Sequence, residues 1–384
     1  MTQIAERNPE IEALRGVAIL ITIAAHLRLL FYWDPAWFEW LARHTSMGSG
    51  VDLFFCISGF VIARSVMPQL PRQRTWDNFK AFALPFWVRR IWRLWPSALV
   101  WLAVYLGLTA WFNTTGTFGP LADTSKSVVA ASLQLANIYF PMCVQRANCG
   151  SNMVYWSLSL EEQFYLVFPF LIFFLRLRAL ACVFAAAAIV QLFIGRPSAT
   201  WLWSLRTDAI AVGVLLAIAS AISCYERFRP DALRFPFASQ ITFAALVAAL
   251  ALTGQMWPSF SPGTSVLISG VMVWIAGYGR DLLIKSGAIR TALVYIGSRS
   301  YAIYLVHEAA FHATREIWSR LMPQAHFDET FTLRFAVTGI VLTLALAEAN
   351  YRLLEAPLRK RGQQIAKDMK ARISFRLAPE DRPA

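Results

Sequence analysis

The chain has 384 residues, 57% of them hydrophobic and only 15% charged, with a mean hydropathy of +0.47. A soluble enzyme of this size carries about 25% charged residues, so a soluble fold is excluded; the long apolar runs also exclude a β-barrel, which alternates in roughly ten-residue segments. The formal charge of +13 does not point to nucleic acid, because the basic residues gather in short loops on one side of the apolar runs, the positive-inside pattern of a membrane protein.

Met1–Glu10 is polar and mixed in charge, with no short apolar core and small-residue cleavage site, so the first span is expected to stay in the mature protein. Span 1 is Ile11–Leu30, followed by a loop rich in Trp and Phe (Phe31–Thr45). Span 2 runs from about Gly48 to Met67. Pro68–Arg93 is the strongest basic cluster between spans and is expected inside. Span 3 is about Leu94–Phe112, and the long loop Asn113–Asn152, with few Lys or Arg, is expected outside. Span 4 is Val154–Leu175, span 5 Ala179–Gly195 and span 6 about Trp203–Cys224. Span 7 is about Ala238–Met256, with Pro258 and Pro262 marking a tight outer turn before span 8, Gly263–Tyr278. Span 9 is about Tyr295–Ile317 and span 10 about Phe331–Leu354.

The predicted fold is all-α, a polytopic membrane helix bundle of about ten transmembrane helices with both termini cytoplasmic. One transmembrane domain, 11–357, precedes a basic cytoplasmic tail, 358–384, which reads as solvated or as a surface helix on anionic lipid. Trp is abundant, at 15 copies, as aromatic belts at two interfaces require. Cys56, Cys182 and Cys224 are isolated in or near apolar segments, where packing is their expected role. Cys143 and Cys149 share a polar loop without a nearby His, so a disulfide is expected there if the loop is periplasmic.

Five clusters can carry chemistry. Arg15 and His26 lie eleven residues apart in span 1, nearly on one helical face and roughly 16 Å apart along the axis. Arg15 alone reads as an interfacial anchor and His26 as a core histidine bonded across helices; their pairing raises a functional reading, since ionisable groups at membrane depth are costly. Gly48–Phe60 holds Asp52, Ser58 and glycines at 48, 50 and 59 that let backbones approach or break a helix. Arg89, Arg90 and Arg93 form either a topology signal or a phosphate-binding rim. Trp156–Tyr165 places Glu161 and Glu162 side by side in an apolar run, about 100° apart, so only one can face a cavity fully. Arg206 and Asp208 open span 6; Tyr301, Tyr304, His307 and Glu308 lie in span 9; Glu355, Pro357 and Arg359 close span 10. No Walker A loop, zinc signature or nucleophile elbow is present, and the single Gly277-Tyr278-Gly279 lacks the re-entrant loop of a potassium filter.

At these clusters the chain closely resembles the acyltransferase 3 family of bacterial inner-membrane acyltransferases, from about Ile11 to Arg359. The resemblance rests on seven motifs in the family's order: Arg15-x10-His26, GVDLFFCISGF from Gly50, RRIWRLWP from Arg89, WSLSLEEQFY from Trp156, RTDAIAVGVLLA from Arg206, SYAIYLVH from Ser300 and EAPLR from Glu355. It implies transfer of an acyl group, commonly acetyl, from cytoplasmic acyl-CoA to a hydroxyl of a cell-surface glycan. Some members carry an added periplasmic esterase-like domain; this chain resembles the stand-alone ones.

The implied partners are membrane lipids, acyl-CoA as donor substrate and a glycan or lipid-linked saccharide acceptor, with no permanently bound cofactor, no metal and no nucleic acid. Arg15, Arg89, Arg90 and Arg93 would hold the CoA phosphates. His26 would act as general base, or as the carrier of a covalent acyl group. Glu161 or Glu162 would orient the imidazole or contact the sugar; Asp52, Ser58, Trp156, Tyr165, Arg206 and His307 would contribute substrate contacts. The rival reading is a multi-span transporter or flippase, which fits ten spans and buried charge but would show internal repeats and matching interrupted helices.

Overall fold

The computed structural model describes residues 8–45, 48–197, 199–256 and 261–377; the first seven residues, the turn expected at Pro258 and the end of the tail lie outside these. Among the described residues the only regular secondary structure is helical. The chain opens with α1, Pro9–His26. Asn8 caps it: its Oδ1 accepts from the amides of Glu10 and Ile11, at 3.0 and 3.4 Å, and Pro9 takes the first helical position, where its missing N–H costs nothing. The same end is tied to the loop after residue 277. Asn8 Nδ2 donates to the Ala276 carbonyl, and the buried Glu10 carboxylate accepts the amides of Asp281, Leu283 and Ile284. We call this end of the bundle proximal and the His26 end distal.

The short α2, Ala36–His44, follows on the distal side. Passes then alternate in direction through α3 (Ser49–Val66) and α4 (Trp76–Trp111). Two distal helices come next, α5 (Leu121–Ser132) and α6 (Ala136–Gln145). The chain returns through α7 (Tyr155–Phe174) and α8 (Leu177–Leu192). A single turn, α9 (Trp201–Ser204), precedes α10 (Asp208–Ser220), α11 (Ala238–Met256) and α12 (Ser261–Gly277). The last pieces are α13 (Ala288–Ser298), α14 (Ser300–Leu321), α15 (Thr332–Asn350) and α16 (Ala356–Leu377), the final two joined by a π-helical turn at Tyr351–Glu355.

Six of these passes are long and apolar enough to cross a bilayer, and three shorter apolar helices, Leu177–Leu192, Ala238–Thr253 and Pro262–Gly277, accompany them. The tenth pass is α14, whose 22 residues span about 33 Å. It carries Glu308, Arg315 and Glu316, and also Ser300, His307, His312, Thr314 and Ser319 at buried or half-buried positions, so its composition is not that of a lipid-facing span. It is instead wrapped by the other helices: Ala302 to His312 are all buried. Two glycines in α3 allow the close packing around the site. A Cβ at Gly50 would strike Thr22 and the Ala18 carbonyl of α1, and one at Gly59 would strike the Ile210 carbonyl of α10. Gly48 faces open space, so it serves no such contact.

Several boundaries differ from the sequence expectation. The basic segment before span 3 is not a loop: α4 begins at Trp76, capped by Thr75, and carries all three arginines of the 89–93 cluster on a helix that also accommodates Pro85 and Pro96. Span 9 is broken at Arg299, between α13 and α14, and its helix runs on to Leu321. Span 6 is shortened to α10, with its start set by the turn Leu205–Thr207. The tail is not a free segment through Leu377. It forms α16, where Gly362 lies against the Trp92 side chain of α4 and Arg361 lies over the Trp92 ring at 5.3 Å. The expected outer loop carries α5 and α6 and a Cys143–Cys149 disulfide, with Cα atoms 4.9 Å apart.

Candidate active site

A partly open cleft lies between α1, α3, α4, α7 and α14. Its charged lining is Arg15 of α1, Arg90 and Arg93 of α4, and Glu161 of α7. Arg90 and Arg93 are one turn apart and share a face; Arg89, one residue earlier, points about 100° away. Arg89 accordingly lines a different crevice, with Gln69, Pro85 and Lys370, and does not belong to the predicted rim. Arg90 lies over the rings of Phe86 and Tyr165, both at 5.5 Å. The Nε atoms of Arg90 and Arg93 are buried without a hydrogen-bond partner among the described residues. A buried donor left unpaired costs free energy, so these are groups waiting for an acceptor. Arg15 is held by Glu12, one turn before it.

Glu161 and Glu162 separate as their spacing requires. Glu161 faces the cleft and accepts from the hydroxyls of Ser58 and Tyr165. Glu162 turns to the indole of Trp95, whose Nε1 donates at 3.2 Å, in a small crevice with Gln134 and Tyr155. Ser58 therefore belongs to the arginine cleft with Glu161 and Tyr165, and not with Asp52, whose cluster it shares in the sequence.

The carboxylate at His26 is Glu308, not Glu161 or Glu162: Glu308 Oε1 is 4.0 Å from His26 Nε2. His26 Nδ1 lies 2.8 Å from the Thr22 carbonyl, and His307 Nδ1 lies 2.8 Å from the Tyr304 carbonyl. A carbonyl only accepts, so both Nδ1 atoms are assigned the proton and, in neutral rings, both Nε2 atoms carry lone pairs. His307 Nε2 is 3.3 Å from His26 Nδ1 and shares its proton, with ring centroids 5.0 Å apart. His26 Nε2 is left with a free lone pair facing Glu308. The His26 side chain is 30% accessible, whereas His307 is sealed at 0% and Glu308 nearly so. The three residues bring potential ligand atoms within 4.8 Å of one another. Because His307 Nε2 is turned to His26 Nδ1 and not to a shared centre, the arrangement suits proton handling better than a metal. Glu308 was visible in the sequence through its helical spacing from Tyr301 and Tyr304; its partnership with His26, 282 positions away, was not.

The remaining predicted contacts form a third group, at the distal ends of α3 and α10. Arg206 Nη1 is 3.5 Å from Asp52 Oδ1, and Ser265 Oγ donates to Asp52 Oδ2 at 2.5 Å. Arg206 lies against the adjoining rings of Trp156 and Trp203, at 5.2 and 4.6 Å. Beside it, Arg196 grips Asp208 with two parallel bonds of 2.9 and 2.6 Å. The four ionic side chains are 4% exposed or less. They are matched one for one, and they lock α3, α10 and the α8–α9 connection together.

Comparison with known proteins follows the same lines. The model of an acyltransferase domain matches residues 8–347, and the chain belongs to the acyltransferase 3 family. It is similar to the peptidoglycan O-acetyltransferase OatA of Listeria monocytogenes serovar 1/2a, with 26% identity covering 92% of this chain and 56% of the relative. It is also similar to the O-acetyltransferase OatA of Staphylococcus aureus strain NCTC 8325, with 25% identity covering 92% of this chain and 57% of that one. The chain thus spans a little over half the length of these curated relatives. No solved structure matches.

Proposed function

We propose that this protein is a membrane O-acyltransferase that moves an acyl group, acetyl by default, from cytoplasmic acyl-CoA to a hydroxyl of a cell-surface or exopolysaccharide glycan. The observation that carries this reading is a cleft with three arginines, two bearing unpaired buried donors, that leads along α14 towards an accessible histidine with a free Nε2. Arg15, Arg90 and Arg93 suit the phosphate oxygens of CoA, because guanidinium forks pair with such oxygens. The pantetheine arm would follow the cleft. The acceptor hydroxyl would meet His26 on its accessible side.

In the step we infer, His26 Nε2 takes the hydroxyl proton as the acceptor oxygen bonds to the thioester carbonyl carbon. The C–S bond breaks, and the thiolate leaves as CoA-SH after receiving the proton back from the imidazolium. Glu308 would stabilise the imidazolium while it exists, and His307, accepting from Nδ1–H, would hold the ring in register. Glu161 would keep Ser58 and Tyr165 oriented in the donor cleft.

Sidedness follows from two supports. The Cys143–Cys149 disulfide lies at the distal end, and disulfides persist on the oxidising side of a membrane. The basic α16 and Arg74 lie at the proximal end, as positive-inside placement requires. In this orientation the protein sits in the bacterial inner membrane with Arg15 towards the cytoplasm and His26 towards the outside. One relative is named for peptidoglycan O-acetylation, and a glycan of that kind is the acceptor class we favour.

The test is labelled acetate incorporation into surface glycan in cells carrying the full chain. His26→Ala, inserted at wild-type level, abolishes it on this reading. Retained incorporation would remove His26 from the chemistry.

A further inference from the structure

His26 is not among the residues lining the donor cleft, and two rings, Tyr304 and His307, stand in between. Because α3 and α7 run from distal to proximal and α14 runs the other way, the deepest lining residues are Val51, Ser157 and Tyr304, with Phe54 one turn to the proximal side of Val51. The Tyr304 hydroxyl lies 2.6 Å from Ser157 Oγ and donates to the Val154 carbonyl at 2.9 Å. Its ring meets Phe54 edge-on, with centroids 6.4 Å apart. On its other side is His307, 5.7 Å between centroids and one turn further along α14, and beyond His307 is His26. The order along the path is therefore cleft, Tyr304, His307, His26.

We propose that Tyr304 is the gate and acyl-length selector of this cleft, latched shut by Ser157 and the Val154 carbonyl. This rests on the donor-cleft reading above. An aromatic side chain on a helix has two accessible χ1 wells, so the ring can swing when a short acyl arm reaches it. A long arm meets the same ring as a wall. The wall is uncharged and aromatic, whereas the opposite end of the cleft is cationic, which matches a donor with an anionic head and a small apolar tip. Removing the ring would extend the cleft towards His307 by about one helical turn, roughly 5 Å, enough for several methylenes.

The test uses the detergent-purified full chain and unreactive S-alkyl-CoA thioethers with ethyl, butyl and hexyl tails, so that no acceptor is needed. For the wild type, affinity should fall at least tenfold from ethyl to hexyl. For Tyr304→Ala the penalty should vanish, and each added methylene should tighten binding by up to about fourfold, the value of burying one CH₂. Tyr304→Phe keeps the wall and loses the latch, so it should retain the wild-type length profile. If Tyr304→Ala does not fold, Tyr304→Leu opens a smaller space and should lose most of the hexyl penalty. An identical length profile in the wild type and the opened variants overturns the gate while leaving the donor cleft standing. Failure of the ethyl thioether to bind any form overturns the donor cleft itself, and the gate with it.

Discussion

Arg196 and Arg206 at the distal end face Asp208 and Asp52, whereas the cleft holds Arg15, Arg90 and Arg93 against two carboxylates, Glu161 in its lining and Glu12 paired with Arg15. Both groups are arginines inside a membrane bundle, buried at the distal end and half-buried in the cleft, and sequence alone treats them alike. The difference is charge balance around space. In the distal group each guanidinium has its carboxylate and two indole rings lie against Arg206, although Arg196 Nε and Arg206 Nε and Nη2 also lack a hydrogen-bond partner among the described residues. In the cleft three guanidiniums meet two carboxylates, Glu12 and Glu161, and line an open space. Matched charge without a cavity holds helices together; unmatched charge beside a cavity asks for an anion from outside.

The sharpest break of this comparison comes from removing one carboxylate on each side. Asp208→Asn leaves Arg196 buried and unpaired, which costs about 3–5 kcal/mol. The variant should fail to accumulate in membranes, and the double substitution Arg196→Met, Asp208→Leu should recover much of the loss. Wild-type accumulation of Asp208→Asn would show that the distal network is dispensable to the fold. Glu161→Gln should behave in the opposite way. The amide still bonds Ser58 and Tyr165, so the protein should accumulate normally. The cleft becomes more cationic, and KM for acyl-CoA should fall two- to fivefold, roughly 0.4–1 kcal/mol for a charge of this accessibility. A raised KM would place Glu161 among the groups that bind the donor directly.

What was legible in the sequence was local. The spacing of Arg15 and His26 on one face follows from helical periodicity, and so does the divergence of Glu161 from Glu162. Cys143 and Cys149, close in one polar loop, were readable for the same reason. The same periodicity separates Arg89 from Arg90 and Arg93, but the segment looked like a basic loop, because α4 runs back to Trp76 through residues too polar for a span. The break at Arg299 falls in Gly297-Ser298-Arg299-Ser300, where Gly and Ser are weak helix formers, a stretch that was read through as part of one span. Three-dimensional partnerships were beyond reach. Glu308 at His26, Asp52 at Arg206 and Ser58 at Glu161 join residues 282, 154 and 103 positions apart, and no period in one sequence encodes them. The motif order pointed to the right family, yet it could not say which motif residues face a substrate and which face one another.

The central claim is that the unmatched arginines of the cleft hold the phosphates of an acyl-CoA donor. Calorimetric titration of coenzyme A into the purified full chain tests it most directly, with Arg90→Gln, Arg93→Gln and Arg89→Gln compared with the wild type. A hydrogen bond to a charged group is worth about 1.5–3 kcal/mol, so Arg90→Gln and Arg93→Gln should each weaken binding by roughly 10- to 150-fold. Arg89→Gln, outside the cleft, should stay within about twofold of the wild type. Equal affinity in all four proteins would contradict the account.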